Sequence, residues 1–265
     1  MTISPPPDPT VALFGLADLT LLAAEIFSAP HRARVAASVP AADVASLVAA
    51  AGVGPDDPLT RTLPTLLAEI RATDAERWQG EHTRLFDGPV ACPINETAYV
   101  RRDKGVIIAD LCGFYRAFGF EPEEETGEKP DHLVTELEFL AMVLAMLGQS
   151  RINGTPETTE VTRAAIRSFL DEHLGDWIAS FCERIRQASD LPVHQGGLEL
   201  LRGLWTLLAA EFDLTSFDTL NATPGEEAIV DDGTPYECDL AEPDDEAAYV
   251  PLTGPRGSSL PSAQP

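Results

Sequence analysis

Residues 129–148 read KPDHLVTELEFLAMVLAMLG, and this stretch decides the fold. Asp131, His132, Glu136 and Glu138 crowd its beginning, and a nearly unbroken apolar run follows from Phe139 to Leu147. Leu133, Leu137, Leu140, Leu144 and Leu147 recur at helical spacing and define one core face. Phe139, Met142, Val143 and Met146 define a second. A helix that is apolar most of the way round belongs inside a helical core. Asp131 is placed to cap the first N–H groups, where its charge suits the positive end of the helix dipole. Gly148 is placed to end the helix. His132 and Glu136 stand four residues apart, so they share a face and can pair.

The flanking sequence repeats the helical pattern. Helices are expected over 11–28, 43–51, 59–71, from a Thr73–Glu76 capping box towards Phe86, and over 105–118, where Gly119 stops the last. Further on, Thr155 caps a helix with Pro156 at its first position, running to His173 until Gly175 breaks it. Two more follow, 176–188 and 191–212. Between them, 87–95 (DGPVACPIN) is a loop by its prolines and glycine, and 96–102 is a short helical turn. Strand patterns and internal repeats are absent. The expected fold class is all-α: a helical bundle of two halves, 11–120 and 130–220, joined by a polar hinge, 121–129 (EPEEETGEK). Residues 1–10 read as a disordered N-terminus. Residues 221–265 carry ten acidic residues against Arg256 alone and read as an acidic extended tail.

Composition excludes some functions. The 265 residues carry a net charge of −25, which argues against a nucleic-acid partner. It permits a cationic one, although solubility or genome bias explains an acidic, Lys-poor surface equally well. Uninterrupted apolar runs fall short of the roughly 18 residues that span a bilayer. The N-terminus lacks the basic start of a signal peptide. Cys92, Cys112, Cys182 and Cys238 are scattered, which suggests reduced thiols of a cytoplasmic protein and neither a disulfide framework nor a zinc site.

Most chemical motifs fail. A phosphate-binding glycine loop, a GxSxG elbow and an HExxH pair are all missing. A metal reading of Asp131, His132 and Glu136 lacks the second histidine. The sequon matches Asn95-Glu96-Thr97 and Asn153-Gly154-Thr155 carry no weight in a cytoplasmic chain.

A set of ordered motifs does carry a resemblance. Arg84-Leu85-Phe86 with Gly88-Pro89 comes first, then Pro93, Glu96 and Tyr99, then Phe114-Tyr115 with Phe118-Gly119. Pro130-Asp131-His132-Leu133 with Glu136-Leu137-Glu138-Phe139 follows, and then Phe169-Leu170-Asp171-Glu172-His173-Leu174 with Trp177 and Phe181. Over about residues 15–212 the chain resembles the TorD/DmsD/NarJ family of maturation chaperones for molybdenum-containing oxidoreductases. His82 and Ile94 stand where family members often have aromatics, which suggests an altered pocket and a different client.

The resemblance implies a cytoplasmic, non-enzymatic chaperone; the missing metal partners argue against a metal site, and no cofactor is assigned to the chain. It would bind a molybdoenzyme catalytic subunit, or that subunit's N-terminal leader, commonly of the twin-arginine type, until the molybdenum cofactor is inserted. Leu85, Phe86, Pro93 and Tyr99 would supply apolar surface. Glu96, Asp131 and Glu136 would supply charge for arginine, with Asp131, His132 and Glu136 as one charged lip of a peptide groove and the loop from Gly88 to Tyr99 opposite. Each also has a plainer reading, as core side chain, helix cap or internal pair. The competing functions are a metal- or nucleotide-dependent hydrolase using Asp131, His132 and Glu136, and an acidic adaptor acting through its tail. Both a monomer and a domain-swapped dimer are compatible with a polar connector.

Overall fold

The structure, a computed structural model, describes residues 8–87, 91–121 and 129–220. The loop residues Gly88 and Pro89, most of the expected hinge and the acidic tail lie outside the described residues. The described chain is helical, with no β-strand; one isolated antiparallel bridge joins Asn95 and His132.

The bundle is built around two long helices, α1 (Pro9–Phe27) and α7 (Leu133–Asn153), packed along each other. Asp8 starts α1 by accepting the Thr10 N–H at 2.7 Å, ahead of Pro9 at the first position. Leu13, Leu16, Leu19, Leu22, Ala23 and Ile26 are all buried, as their spacing requires. By length and composition alone α1 and α7 could each cross a membrane, contrary to the sequence expectation, because an average over the helix tolerates an occasional acidic residue. Most of both helices is buried inside the bundle.

On α7 the five leucines are buried, and Phe139 and Val143 join them, while Met146 is exposed. Two expectations about this helix are corrected. Its N-cap is His132, whose Nδ1 accepts the Val134 N–H at 3.2 Å, and not Asp131, whose carboxylate is engaged elsewhere. Gly148 does not end it either. The helix runs on to Asn153 and stops at Gly154, which takes up φ +63°. Gly148 is a contact point: a Cβ there would fall 2.9 Å from two ring carbons of Phe14 on α1.

Around this pair stand α2 (Pro30–Ala36), which the sequence reading missed, α3 (Ala41–Ala50), α4 (Leu59–Ala72) and α5 (Ala75–Phe86). Asp74, not Thr73, caps α5 by accepting the Arg77 N–H at 2.8 Å. A 3-10 turn, Glu96–Ala98, leads to α6 (Lys104–Phe118), which Gly119 ends at φ +68° as expected. After α7 come α8 (Pro156–Phe169), α9 (Gly175–Ala188) and α10 (Pro192–Phe212), with α4 against α10 and α8 against α7. Helices on both sides of residues 121–129 contribute to one hydrophobic core.

Gly175 was expected to break the chain between α8 and α9, and it does not. A π-helical turn, Leu170–Leu174, carries the helical path straight through. Gly175 is there for proximity: a Cβ would lie 2.6 Å from the Leu170 carbonyl oxygen and 2.8 Å from the Trp205 ring. The turn sets His173, with 0% exposure, facing inward.

Candidate functional site

The loop after α5 is stitched to the head of α7. Glu96 N–H donates to the Asp131 carbonyl at 2.9 Å, and Leu133 N–H donates to the Ile94 carbonyl at 3.0 Å. The Asp131 carboxylate completes the seam. Its Oδ2 accepts from the Thr97 hydroxyl at 2.6 Å and the Thr97 N–H at 3.3 Å, and its Oδ1 accepts from Asn95 Nδ2 at 3.1 Å. Tyr99 OH donates to the Pro93 carbonyl at 2.8 Å and closes the loop on itself. From α6, Tyr115 OH donates to the Pro130 carbonyl at 2.6 Å.

Behind this seam lies a buried polar knot. Glu96 is fully buried, with its Oε2 3.0 Å and its Oε1 3.2 Å from His173 Nδ1. His173 Nε2 is 3.5 Å from Asp110 Oδ2 on α6. Glu136, also fully buried, accepts from Trp177 Nε1 at 3.3 Å through Oε2, while its Oε1 has no hydrogen-bond partner. Tyr99 stacks on Trp177 with ring centroids 5.5 Å apart. Burial, with the neighbouring Glu96 charge adding to it, raises the Glu136 carboxyl well above the usual range. Burial also raises Glu96, and the hydrogen bond from His173 opposes the shift. Burial pushes His132 down to about 4.

Six of the expected residues thus meet at one junction: Pro93, Glu96, Tyr99, Asp131, His132 and Glu136. The exposed charged lip expected of them is not there. Glu96, Asp131 and Glu136 point inward, because interior carboxylates must find donors, and the π-helical turn, the loop and α9 supply them in turn. His132 and Glu136 do not pair; His132 caps its helix and Glu136 bonds Trp177. Leu85 is core. Phe86 is half-buried in a second ring cluster, 4.9 Å from His82, 6.2 Å from Phe181 and 6.0 Å from His194 by centroids.

The sequence reading missed His173, Trp177, Arg102, Asn95 and Thr97 as members of the junction. The available signal was the i, i+4 spacing of His173 and Trp177, which puts both on one helical face. Among the described residues no group of three or more His, Cys, Asp or Glu side chains could hold a metal ion. A Ser–His–Glu arrangement does occur: the Ser189 hydroxyl lies 2.7 Å from Glu81 Oε1 and 2.9 Å from His194 Nδ1. Its proton goes to the carboxylate, so His194 is not placed to take it, and the serine is buried.

Residues 54–183 match the family described as nitrate reductase delta subunit. The chain is 40% identical over 91 residues to the selenate reductase assembly chaperone protein of Thauera selenatis, covering 34% of this chain and 46% of that protein. It is 36% identical over 96 residues to the chlorate reductase assembly chaperone protein of Ideonella dechloratans, covering 36% and 48%. It is 33% identical over 72 residues to the perchlorate reductase assembly chaperone protein of Dechloromonas aromatica (strain RCB), covering 27% and 31%. The matched stretches span less than half the length of each of these relatives.

Proposed function

Because residues 54–183 make this chain a member of the nitrate reductase delta subunit family, we propose that it is an assembly chaperone for the catalytic subunit of a molybdenum-cofactor oxidoreductase. The observation that carries this reading is the likeness to the selenate reductase assembly chaperone protein. The chain acts by binding, not by catalysis. It works in the cytoplasm, holding the catalytic subunit through its N-terminal leader until the molybdenum cofactor is in place.

The geometry supports a division of labour within the candidate residues. Phe86, Pro93, Tyr99 and His132 are half-buried and keep a face towards solvent. They form the contact surface for the apolar part of a leader. Leu85, Glu96, Asp131 and Glu136 lie behind it and hold the loop in shape. An apolar, peptide-sized strip on a rigid backing is what helix-in-groove recognition requires.

The test mixes the purified chain with the cofactor-free catalytic subunit of its own operon, and separately with a synthetic peptide of that subunit's leader. A one-to-one complex with the subunit, weakened by Tyr99→Ala and by loss of the leader, is the expected result. Absence of any complex with either would overturn the proposal.

A further inference from the structure

Arg102 sits at the mouth of the buried knot. Its Nη2 is 3.4 Å from Glu96 Oε1, donates to the Glu172 carbonyl at 2.6 Å and lies 3.5 Å from Asp176 Oδ2. Three acceptors from two separate parts of the chain, one of them a fully buried carboxylate, therefore converge on one guanidinium nitrogen. Guanidinium is a planar fork that binds best through two parallel N–H groups. Arg102 approaches through a single nitrogen, and both of its carboxylate contacts are long. Its side chain is 36% exposed, so it can leave without unfolding the core.

The space beside it is open. A cavity of about 320 Å³ is lined by Tyr99, Asp171, Gly175, Asp176 and Trp205, with Asp176 shared between cavity and ion pair. Asp176 is 49% exposed, and the exposed Asp171 lies five residues earlier on the π-helical turn. The cavity's lining is mostly polar, with the Asp171 and Asp176 carboxylates and the Ser180, Thr215 and Thr219 side chains beside Tyr99, a surface that suits the polar head of an arginine side chain.

We infer that the acceptors Glu96, Glu172 and Asp176 form a guanidinium site filled in cis by Arg102, and that an arginine of a bound peptide takes the site by displacing it. This deepens the chaperone reading and rests on it for the identity of the peptide. The tethered Arg102 acts as a competitor at high effective concentration, so it sets a threshold on binding. Weakly held in place, it keeps the buried Glu96 from facing an empty mouth when no partner is bound.

The experiment uses the full chain carrying Arg102→Ala and the probes N-acetyl-arginine amide and N-acetyl-lysine amide, read by calorimetry and by the shift in thermal midpoint. The variant is expected to bind the arginine amide saturably, about tenfold more tightly than the unaltered chain does, because removing a cis competitor restores the competent fraction. It should prefer arginine to lysine amide at least about fivefold, since only the guanidinium offers the fork. Adding Asp176→Asn, at an exposed position, should remove most of that preference. Equal binding of the two amides, or no gain over the unaltered chain, would overturn the inference. If Arg102→Ala does not fold, Arg102→Gln serves, since it also removes the tethered cation, with the same arginine preference expected and the same outcomes decisive. The amide measurement needs no reductase, so its failure is separate from failure of the chaperone reading.

Discussion

Trp177 Nε1 donates at 3.3 Å to Glu136 Oε2, joining α9 to a carboxyl that water does not reach. A buried acid with one donor has little else to hold it. Trp177→Phe keeps most of the ring and removes the donor, so it should cost about 1–3 kcal/mol in urea unfolding, the penalty for orphaning a buried polar group. A change within experimental error would mean the bond does not form.

The Glu136 carboxyl is raised by burial, so the native state holds a proton that the unfolded chain gives up. The stability this proton confers is complete below the unfolded value of roughly 4.3 and is lost as pH rises through the folded value. Glu136→Gln mimics the protonated form and still accepts from Trp177. It should leave stability at acid pH within about 1 kcal/mol and flatten its decline towards alkaline pH. Urea midpoints from pH 4 to 9 for both proteins decide this.

His132 and His194 run the other way. Burial pushes each down to about 4, so the unfolded chain binds their protons first. Stability they preserve at neutral pH is lost as pH falls from roughly 6.5 towards 4, by up to about 3 kcal/mol for each group. His194→Asn places an amide atom near the Nδ1 position that meets Ser189, and it should remove part of that acid loss. An unchanged pH profile would contradict the assignment.

Asp131 accepts from two Thr97 groups and from Asn95 Nδ2. Asp131→Ala orphans these donors, so it should destabilise by about 2–4 kcal/mol and speed hydrogen exchange of the amides at 94–99 more than those of α1. Leader binding is expected to fall with it, through the loop. Normal exchange in the loop with weakened binding would instead make Asp131 a direct contact.

Two glycines on the α1 side of the core should respond differently to the same substitution. At Gly148 a new Cβ meets the half-exposed Phe14 ring, which can swing aside. At Gly15 it meets backbone, 2.3 Å from Ala51 N and 2.4 Å from the Ala50 carbonyl carbon. Gly148→Ala should change stability by less than about 1 kcal/mol, while Gly15→Ala should cost more than about 3 kcal/mol. Thermal unfolding of the two variants separates them.

The helices were legible because burial follows local spacing, as the leucines of α7 and the apolar series of α1 show. Glycine was the ambiguous letter. Gly119 and Gly154 end helices, whereas Gly148 and Gly175 lie within helical paths as contact points, and only Phe14 and Trp205 reveal which is which. The cap of α7 was misread for a related reason: Asp131 is chemically able to cap, but Thr97 and Asn95 claim it first. The candidate site was half legible. Its loop and helix head were found from motifs, but the partners Glu96–His173, Arg102–Glu172 and Glu136–Trp177 are separated by 77, 70 and 41 residues, beyond the reach of any local pattern. Inward-facing carboxylates were read as outward-facing for the same reason.

The pairing of α1 with α7 also sets a schedule. Phe14 is synthesised roughly 130 residues before Gly148, the glycine it rests on, a gap of about 7–25 s at typical elongation rates. For that interval the first described helix lacks its most extensive partner and has only α2 and α3 beside it, while being long and greasy enough to be handled as a membrane-bound sequence. The face of α1 that α7 covers stays open until α7 emerges. Ribosome-bound chains arrested before and after α7 has cleared the ribosome should differ sharply in how readily α1 is cut by protease. A chain proposed to shelter other proteins would thus itself begin life with an apolar face to shelter.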